Sequence, residues 1–392
     1  MMNPSNRNLW VDNLRSAITV LVVAHHSSLA YTTFAKFDSK VYIHSTCPIV
    51  DTHRWIGLDI FQNFNDVFFM SLMFFIGGLF LIKSIHKKGA INFLKDRFYR
   101  LFIPFLFLGT LLMLIAYFPS YYVAHKSTHL FAYIKDFFII EKWPVGPPWF
   151  IWVLFLFNLL FVLFHSSFQK VSGKAGMLLA RLKNKPFALF LMVFCVTFML
   201  YVPIAYNVGA GLWTGVGPFD FQLSRILLYF GYFTFGIFIG NTDFNGEIFS
   251  TKSAIVQNWW LWLGLSITVY FVLTIISEPL TQLVNDNKLI AFNAWMIYYA
   301  IYAASCASSC IAFITIFRKL FNTGNHWLNS LSGNAYLIYL VHYVFVIWCQ
   351  FFLMNFNVPA FIKFMVTFMV ALALSWMVSS VVRKIPIVNR YL

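Results

Sequence analysis

Ten apolar runs follow one another along the chain, near residues 14–35, 65–83, 100–119, 148–166, 187–206, 222–240, 257–277, 289–317, 328–352 and 359–383. Runs of about 18 residues or more are long enough to cross a hydrocarbon core as helices. The pattern predicts an all-α fold: an integral membrane bundle of about ten transmembrane helices, forming a single membrane domain over residues 1–392. It shows no internal repeat, no low-complexity tract and no soluble domain. The first run lacks a small-residue cleavage site and carries Arg15, His25 and His26, so it is expected to remain as the first span. The longest polar connections, about 36–64 and 120–147, contain Tyr, Trp and His and are expected to fold over the bundle.

Composition agrees with the pattern. The chain is 60% hydrophobic and 10% charged, where soluble domains carry about 25% charged residues. The net charge of +15 would suggest nucleic acid in a soluble protein, but no nucleic-acid-binding pattern accompanies it. The cations fall instead in alternate loops. One set holds Arg7, Lys83, Lys87, Lys88, Lys95, Arg97, Arg100, Lys170, Lys174, Arg181, Lys183, Lys185, Lys252, Arg318, Lys319, Arg383, Lys384 and Arg390. It outnumbers the set of Lys36, Lys40, Arg54, Lys126, Lys135, Lys142 and Lys288, which marks the first set as cytoplasmic. Both termini are then expected in the cytoplasm of a multi-pass protein of the cell (inner or plasma) membrane. The five cysteines form no disulfide framework or metal-ligand pattern, so no metal is expected.

Four constellations could carry chemistry. Arg15 and His26 are eleven residues apart inside an apolar run, three helical turns plus about 20°, so they share a face roughly 16 Å apart. Arg15 is expected near one membrane surface and His26 near the middle. Ionisable groups at such depth are costly and by default functional. Asp12 lies three residues before Arg15 and can pair with it. Arg15 can also simply snorkel to the headgroups, and His26 can be a satisfied core residue; a neutral imidazole there would be a general base. His25 points about 100° away from His26.

The second constellation is Arg97 and Arg100, three apart before the third span. They suit phosphate binding by paired guanidinium groups, or are an ordinary positive-inside flank. The third is His342 with Tyr339 on one face of the ninth span, at nearly the depth of His26, so that both could line one cavity. The alternative is a buried His bonded to a neighbouring helix. The fourth is Pro148-Trp149-Phe150, an interface anchor by its residue types. Gly77-Gly78 allows close helix packing. The spans hold few acidic residues, and no phosphate loop, Ser nucleophile elbow or HExxH motif occurs.

Taken in order, these segments resemble the acyltransferase-3 family of multi-spanning membrane enzymes. Val11-Asp12-Asn13-Leu14-Arg15 followed by His26 matches the family's Arg, ten residues, His. Arg97-Phe-Tyr-Arg100 matches its Arg-x-x-Arg, Pro148-Trp149-Phe150 its span entry, and Tyr336 to His342 its late Tyr-x-x-Tyr-Leu-x-His segment. One departure is visible: Phe74-Phe75-Ile76-Gly77-Gly78 lacks the Ser of the family's Phe-x-x-Ser-Gly. The resemblance implies an acyl-CoA donor, most often acetyl-CoA, bound from the cytoplasm, and O-acetylation-type transfer to a hydroxyl of a carbohydrate or glycolipid acceptor, as in polysaccharide modification. On that basis His26 is general base or covalent acyl carrier, with Arg15 and Asp12 beside it. Arg97 and Arg100 hold CoA; His342, Tyr339 and Trp149 are candidates for acceptor binding. The rival reading is a secondary transporter or exporter using midplane His residues as a proton relay, for which inverted repeats are not seen.

Overall fold

The computed structural model describes residues 8–44, 47–386 and 388. Arg7 and Arg390, two of the cations that orient the chain, lie outside the described residues. In order the chain forms α1 (Leu9–Ser28), α2 (Ile56–Gly78), α3 (Leu81–Lys88), α4 (Ala90–Arg97), α5 (Thr110–His125), α6 (Leu130–Ile139), α7 (Trp149–Leu163), α8 (His165–Arg181) and α9 (Pro186–Val208). A short antiparallel ladder of β1 (Trp213–Thr214) and β2 (Phe221–Gln222) follows. Then come α10 (Ile226–Gly240), α11 (Ala254–Gln257), α12 (Trp259–Asn285), α13 (Ala291–Leu320), α14 (His326–Leu353) and α15 (Ala360–Val382). The chain is 77% helical.

Among the described residues, eight helices are long and apolar enough to cross a membrane, or nine if α7 and α8, bent by 91°, are one span. The protein is therefore a multi-pass membrane protein. The first apolar run is absent from that set. Its helix, α1, has 20 residues, but Asp12, Asn13, Arg15, His25 and His26 lower its hydropathy. It packs against α2, α13, α14 and α15, so much of its polar face meets protein rather than lipid. Burial separates centre from rim: 72% of the most apolar stretch through α2 is buried, against 17% for α12.

Two boundaries differ from the hydropathy pattern. α1 ends at Ser28 and tightens into a 3₁₀ turn, Leu29–Tyr31, although the apolar run continues to 35. α2 begins at Ile56 rather than near 65, because Asp59, the polar residue of its first turn, is buried inward. The segment between them folds back over the ends of α1, α2 and α15. Asp51 and Lys363 fix it there: their ion pair measures 2.6 Å and both side chains are 1% exposed. Ser120 adds a hydrogen bond of 2.6 Å to the Pro48 carbonyl.

α2 and α10 cross at glycines. A Cβ on Gly78 would strike the Phe233 carbonyl, and one on Gly236 the Phe75 carbonyl. Only glycine lets the two backbones approach this closely.

Candidate functional site

The geometry begins at the end of α1. His26 is seventeen residues, roughly 25 Å, from the start of the helix and two residues from its end. It therefore sits near the end of its own helix, yet level with His342, which stands sixteen residues into the 28 residues of α14. Gln350 on α14 pins this end, donating to the carbonyls of His26 at 3.0 Å and Ser27 at 3.2 Å.

α1 and α14 pack side by side, and this brings His26 and His342 together. His26 Nδ1 lies 2.9 Å from the Val22 carbonyl oxygen and 3.1 Å from His342 Nε2. His342 Nδ1 lies 2.6 Å from the Tyr339 carbonyl oxygen. A carbonyl only accepts, so each Nδ1 carries the proton. His342 Nε2 then presents a lone pair that shares the Nδ1–H of His26. The consequence is a free lone pair on His26 Nε2. His342 is fully buried whereas His26 is only half-buried, so the ring with the free lone pair is also the accessible one. Tyr343 packs edge-on against it, ring centroids 5.3 Å apart.

The Tyr339 ring lies 5.9 Å from that of His342, but its hydroxyl is directed elsewhere. Its hydroxyl donates to the Pro147 carbonyl, and its ring meets Phe150 at 5.8 Å. Trp149 opens α7 among Phe74, Trp213 and Tyr229, with centroids 5.6–6.3 Å away.

Arg97 and Arg100 stand where α4 passes into two π-helical segments, Phe98–Phe102 and Pro104–Gly109. Pro104 has no N–H and crowds the carbonyl of residue 100, so the regular ladder cannot continue. The freed Arg100 carbonyl accepts a hydrogen bond of 2.8 Å from the Tyr336 hydroxyl. That bond ties the Arg-x-x-Arg segment to α14, six residues and about 9 Å of rise below His342. Arg97 lies over the Phe93 ring at 5.0 Å, and its Nε is buried with no hydrogen-bond partner. Arg100 is 3.9 Å from Asp96, which also binds Lys88 at 2.9 Å. Arg15 pairs with Asp12 at 3.0 Å, and this pair is about 16 Å along α1 from His26.

Several polar residues of the interior carried no signal in the sequence patterns. Asp66 on α2 and Arg225 in the 3₁₀ turn Leu223–Arg225 form an ion pair of 2.6 Å. Arg225 and Lys363 belong to neither loop set of cations, and each is found paired with an aspartate inside the protein. An unassigned cation inside an apolar run was the available cue.

No curated protein and no solved structure matches the chain at a significant level. The acyltransferase-3 family model, described as an acyltransferase domain, matches residues 8–380. That match spans nearly the whole helical bundle, from the start of α1 almost to the end of α15. The chain belongs to the acyltransferase-3 family and is a membrane acyltransferase.

Proposed function

We propose that the protein moves an acyl group, most simply acetyl, from cytoplasmic acyl-CoA to a hydroxyl of a carbohydrate-type acceptor in the cell membrane. The His26–His342 contact carries this reading, because it leaves His26 Nε2 as an accessible lone pair on a ring whose other nitrogen is held twice. The acceptor hydroxyl gives its proton to Nε2 as its oxygen bonds to the thioester carbonyl carbon. The carbon–sulfur bond then breaks, and the departing CoA sulfur takes the proton back from Nε2. While the ring is doubly protonated, Val22 and His342 both accept from Nδ1–H and stabilise it. A covalent route would use the same nitrogen as nucleophile.

Arg97 and Arg100 fit the phosphates of CoA. They lie on one strip, and the orphaned Arg97 Nε is a donor awaiting an anion. Arg15, steadied by Asp12, lies further along α1 and is placed at the donor's mouth. Because its hydroxyl is engaged by Pro147, Tyr339 supports the frame rather than an oxyanion. His342 is a positioning residue for His26, and Trp149 lines the acceptor side.

Purified protein should release CoA from acetyl-CoA and acylate a hydroxyl acceptor. His26→Ala should abolish both while the protein still inserts and folds. Arg97→Ala with Arg100→Ala should raise the KM for acyl-CoA more than the KM for acceptor. The opposite order would move the CoA site elsewhere.

A further inference from the structure

α8 lies across the bundle rather than along it. It turns 91° from α7, so with α7 crossing the membrane, α8 runs along its surface. Its sequence suits that position. Met177 and Leu178 are exposed together with the cations Lys170, Lys174 and Arg181, whereas Ser172, Gly176 and Leu179 are buried against protein. Exposed apolar side chains flanked by cations seat a helix among lipid headgroups.

Leu179, on the protein side of α8, forms part of the wall of an apolar cavity of about 40 Å³, shared by α2, α8, α9, α10, α11 and α13. A water needs about 10–15 Å³ and two to four polar partners. This space has the room but not the partners. The Tyr232 hydroxyl shares a hydrogen bond of 3.0 Å with Thr197, and the Thr315 hydroxyl donates to the Ile311 carbonyl at 2.8 Å. Walls of that kind exclude water and accept hydrocarbon.

Two helices give the depth of the cavity. On α9 it extends from Leu189 to Val193, four to eight residues after Lys185; on α13 it extends from Thr315 back to Cys310, four to nine residues before Lys319. Both place it about 6–14 Å below the lysines. The interfacial layer of a bilayer is roughly 5–8 Å thick on each side, so the cavity is level with the first carbons of the lipid acyl chains.

The cations above it come from three adjoining elements. Lys183 and Lys185 belong to the 3₁₀ turn Leu182–Asn184 and the residue after it, Lys252 precedes α11, and Lys319 lies in the last turn of α13. α11 packs against both that turn and α13, and Lys319 Nζ is 3.2 Å from Gln257 Oε1. All four lysines are exposed. The carboxylates of the neighbouring loop are Asp243, which faces Arg318, and Glu247, so positive charge prevails. A hydrocarbon slot under a group of lysines at headgroup level is complementary to an anionic headgroup with a chain attached.

We propose that this cavity takes one acyl chain of an anionic glycerophospholipid from the adjoining leaflet, with the headgroup phosphate against Lys183, Lys185, Lys252 and Lys319. The chain completes the packing between the rim helix α9 and the central helices α2 and α13. None of the walls belongs to α1 or α14, which carry His26 and His342, so the site is separate from acyl transfer. The test uses full-length protein purified in detergent and a phosphatidylglycerol with a diazirine in the first carbons of one acyl chain. After illumination, peptide mass spectrometry should find label on the cavity residues Met192 and Ile314. A lipid that merely coats the bundle labels outward side chains of α9, such as Leu191 and Met199, 45% and 68% exposed; label confined to those overturns the proposal. Unlabelled phosphatidylglycerol and single-chain lysophosphatidylglycerol should compete, and chain-free glycerophosphoglycerol should not. Phosphatidylcholine with the same chains should compete at least about tenfold more weakly. Equal competition by the chain-free or the zwitterionic probe overturns the assignment. Lys183→Gln, Lys185→Gln and Lys252→Gln together should weaken binding about 100-fold, about fivefold for each lysine, and unchanged affinity contradicts it. The labelling map and the competition series need no substitution, so they decide the matter even where a variant folds poorly.

Discussion

Replacing His342 by alanine isolates the part of the site that the geometry explains most fully. The substitution removes the acceptor 3.1 Å from His26 Nδ1 and leaves the Val22 carbonyl at 2.9 Å. His26 therefore keeps its tautomer, because one acceptor still holds the Nδ1 proton. What is lost is the second acceptor for the doubly protonated ring of the transition state. A hydrogen bond to a charged group is worth about 1.5–3 kcal/mol, and each 1.36 kcal/mol is tenfold in rate. Turnover should fall by about 10- to 150-fold, with the KM for acyl-CoA unchanged. His342→Gln retains an acceptor oxygen and should recover part of the loss. The assay is steady-state CoA release in detergent, with thermal midpoints to show that each variant is folded. A folded His342→Ala enzyme within about threefold of wild-type turnover would refute the reasoning, since such a loss is under 1 kcal/mol.

Three further outcomes follow from the packing. Lys363→Met strands the buried Asp51 carboxylate and should cost about 3–5 kcal/mol, most of it regained in the double variant with Asp51→Asn; thermal midpoints of the set decide it, and an undamaged Lys363→Met protein contradicts it. Gly236→Ala forces a methyl into the Phe75 carbonyl and should cost about 3 kcal/mol, the upper end for overpacking, seen as lost folded yield. Burial pushes the Glu141 carboxyl above the usual carboxylate range, against the backbone N–H groups of residues 42–44 that favour its ionised form. A raised folded value gives stability that is complete below the unfolded value and lost as pH rises through the folded one. The thermal midpoint should therefore fall as pH rises above the unfolded carboxyl value of about 4.3, and Glu141→Gln should flatten that fall.

Hydropathy alone located most of the helices. α9 and α15, each only 22% buried, begin and end within two residues of their apolar runs, because lipid-facing helices must be apolar along their length. The same rule misplaced the inner elements. α2 starts at Ile56, ahead of its run, since Asp59 in its first turn is buried against protein, where the Thr33 N–H donates to it, and needs no apolar side chain there. The shared face of Arg15 and His26, and the nearness of His26 to His342, follow from helical spacing and comparable depth. The direct contact does not, because it depends on how α1 and α14 pack. The Asp66–Arg225 pair was less legible still: its partners are 159 residues apart, and neither spacing nor composition links them. The π-helical turns after Arg97 were foreshadowed only by Pro104, whose missing N–H frees a carbonyl that Tyr336 then takes.

The most direct measurement is transfer of radiolabelled acetyl from acetyl-CoA into alkali-labile ester on carbohydrate, in membranes holding either wild-type protein or His26→Ala at matched levels. The account predicts label in the wild-type carbohydrate fraction and background counts in the variant. Equal labelling by the His26→Ala protein would contradict it.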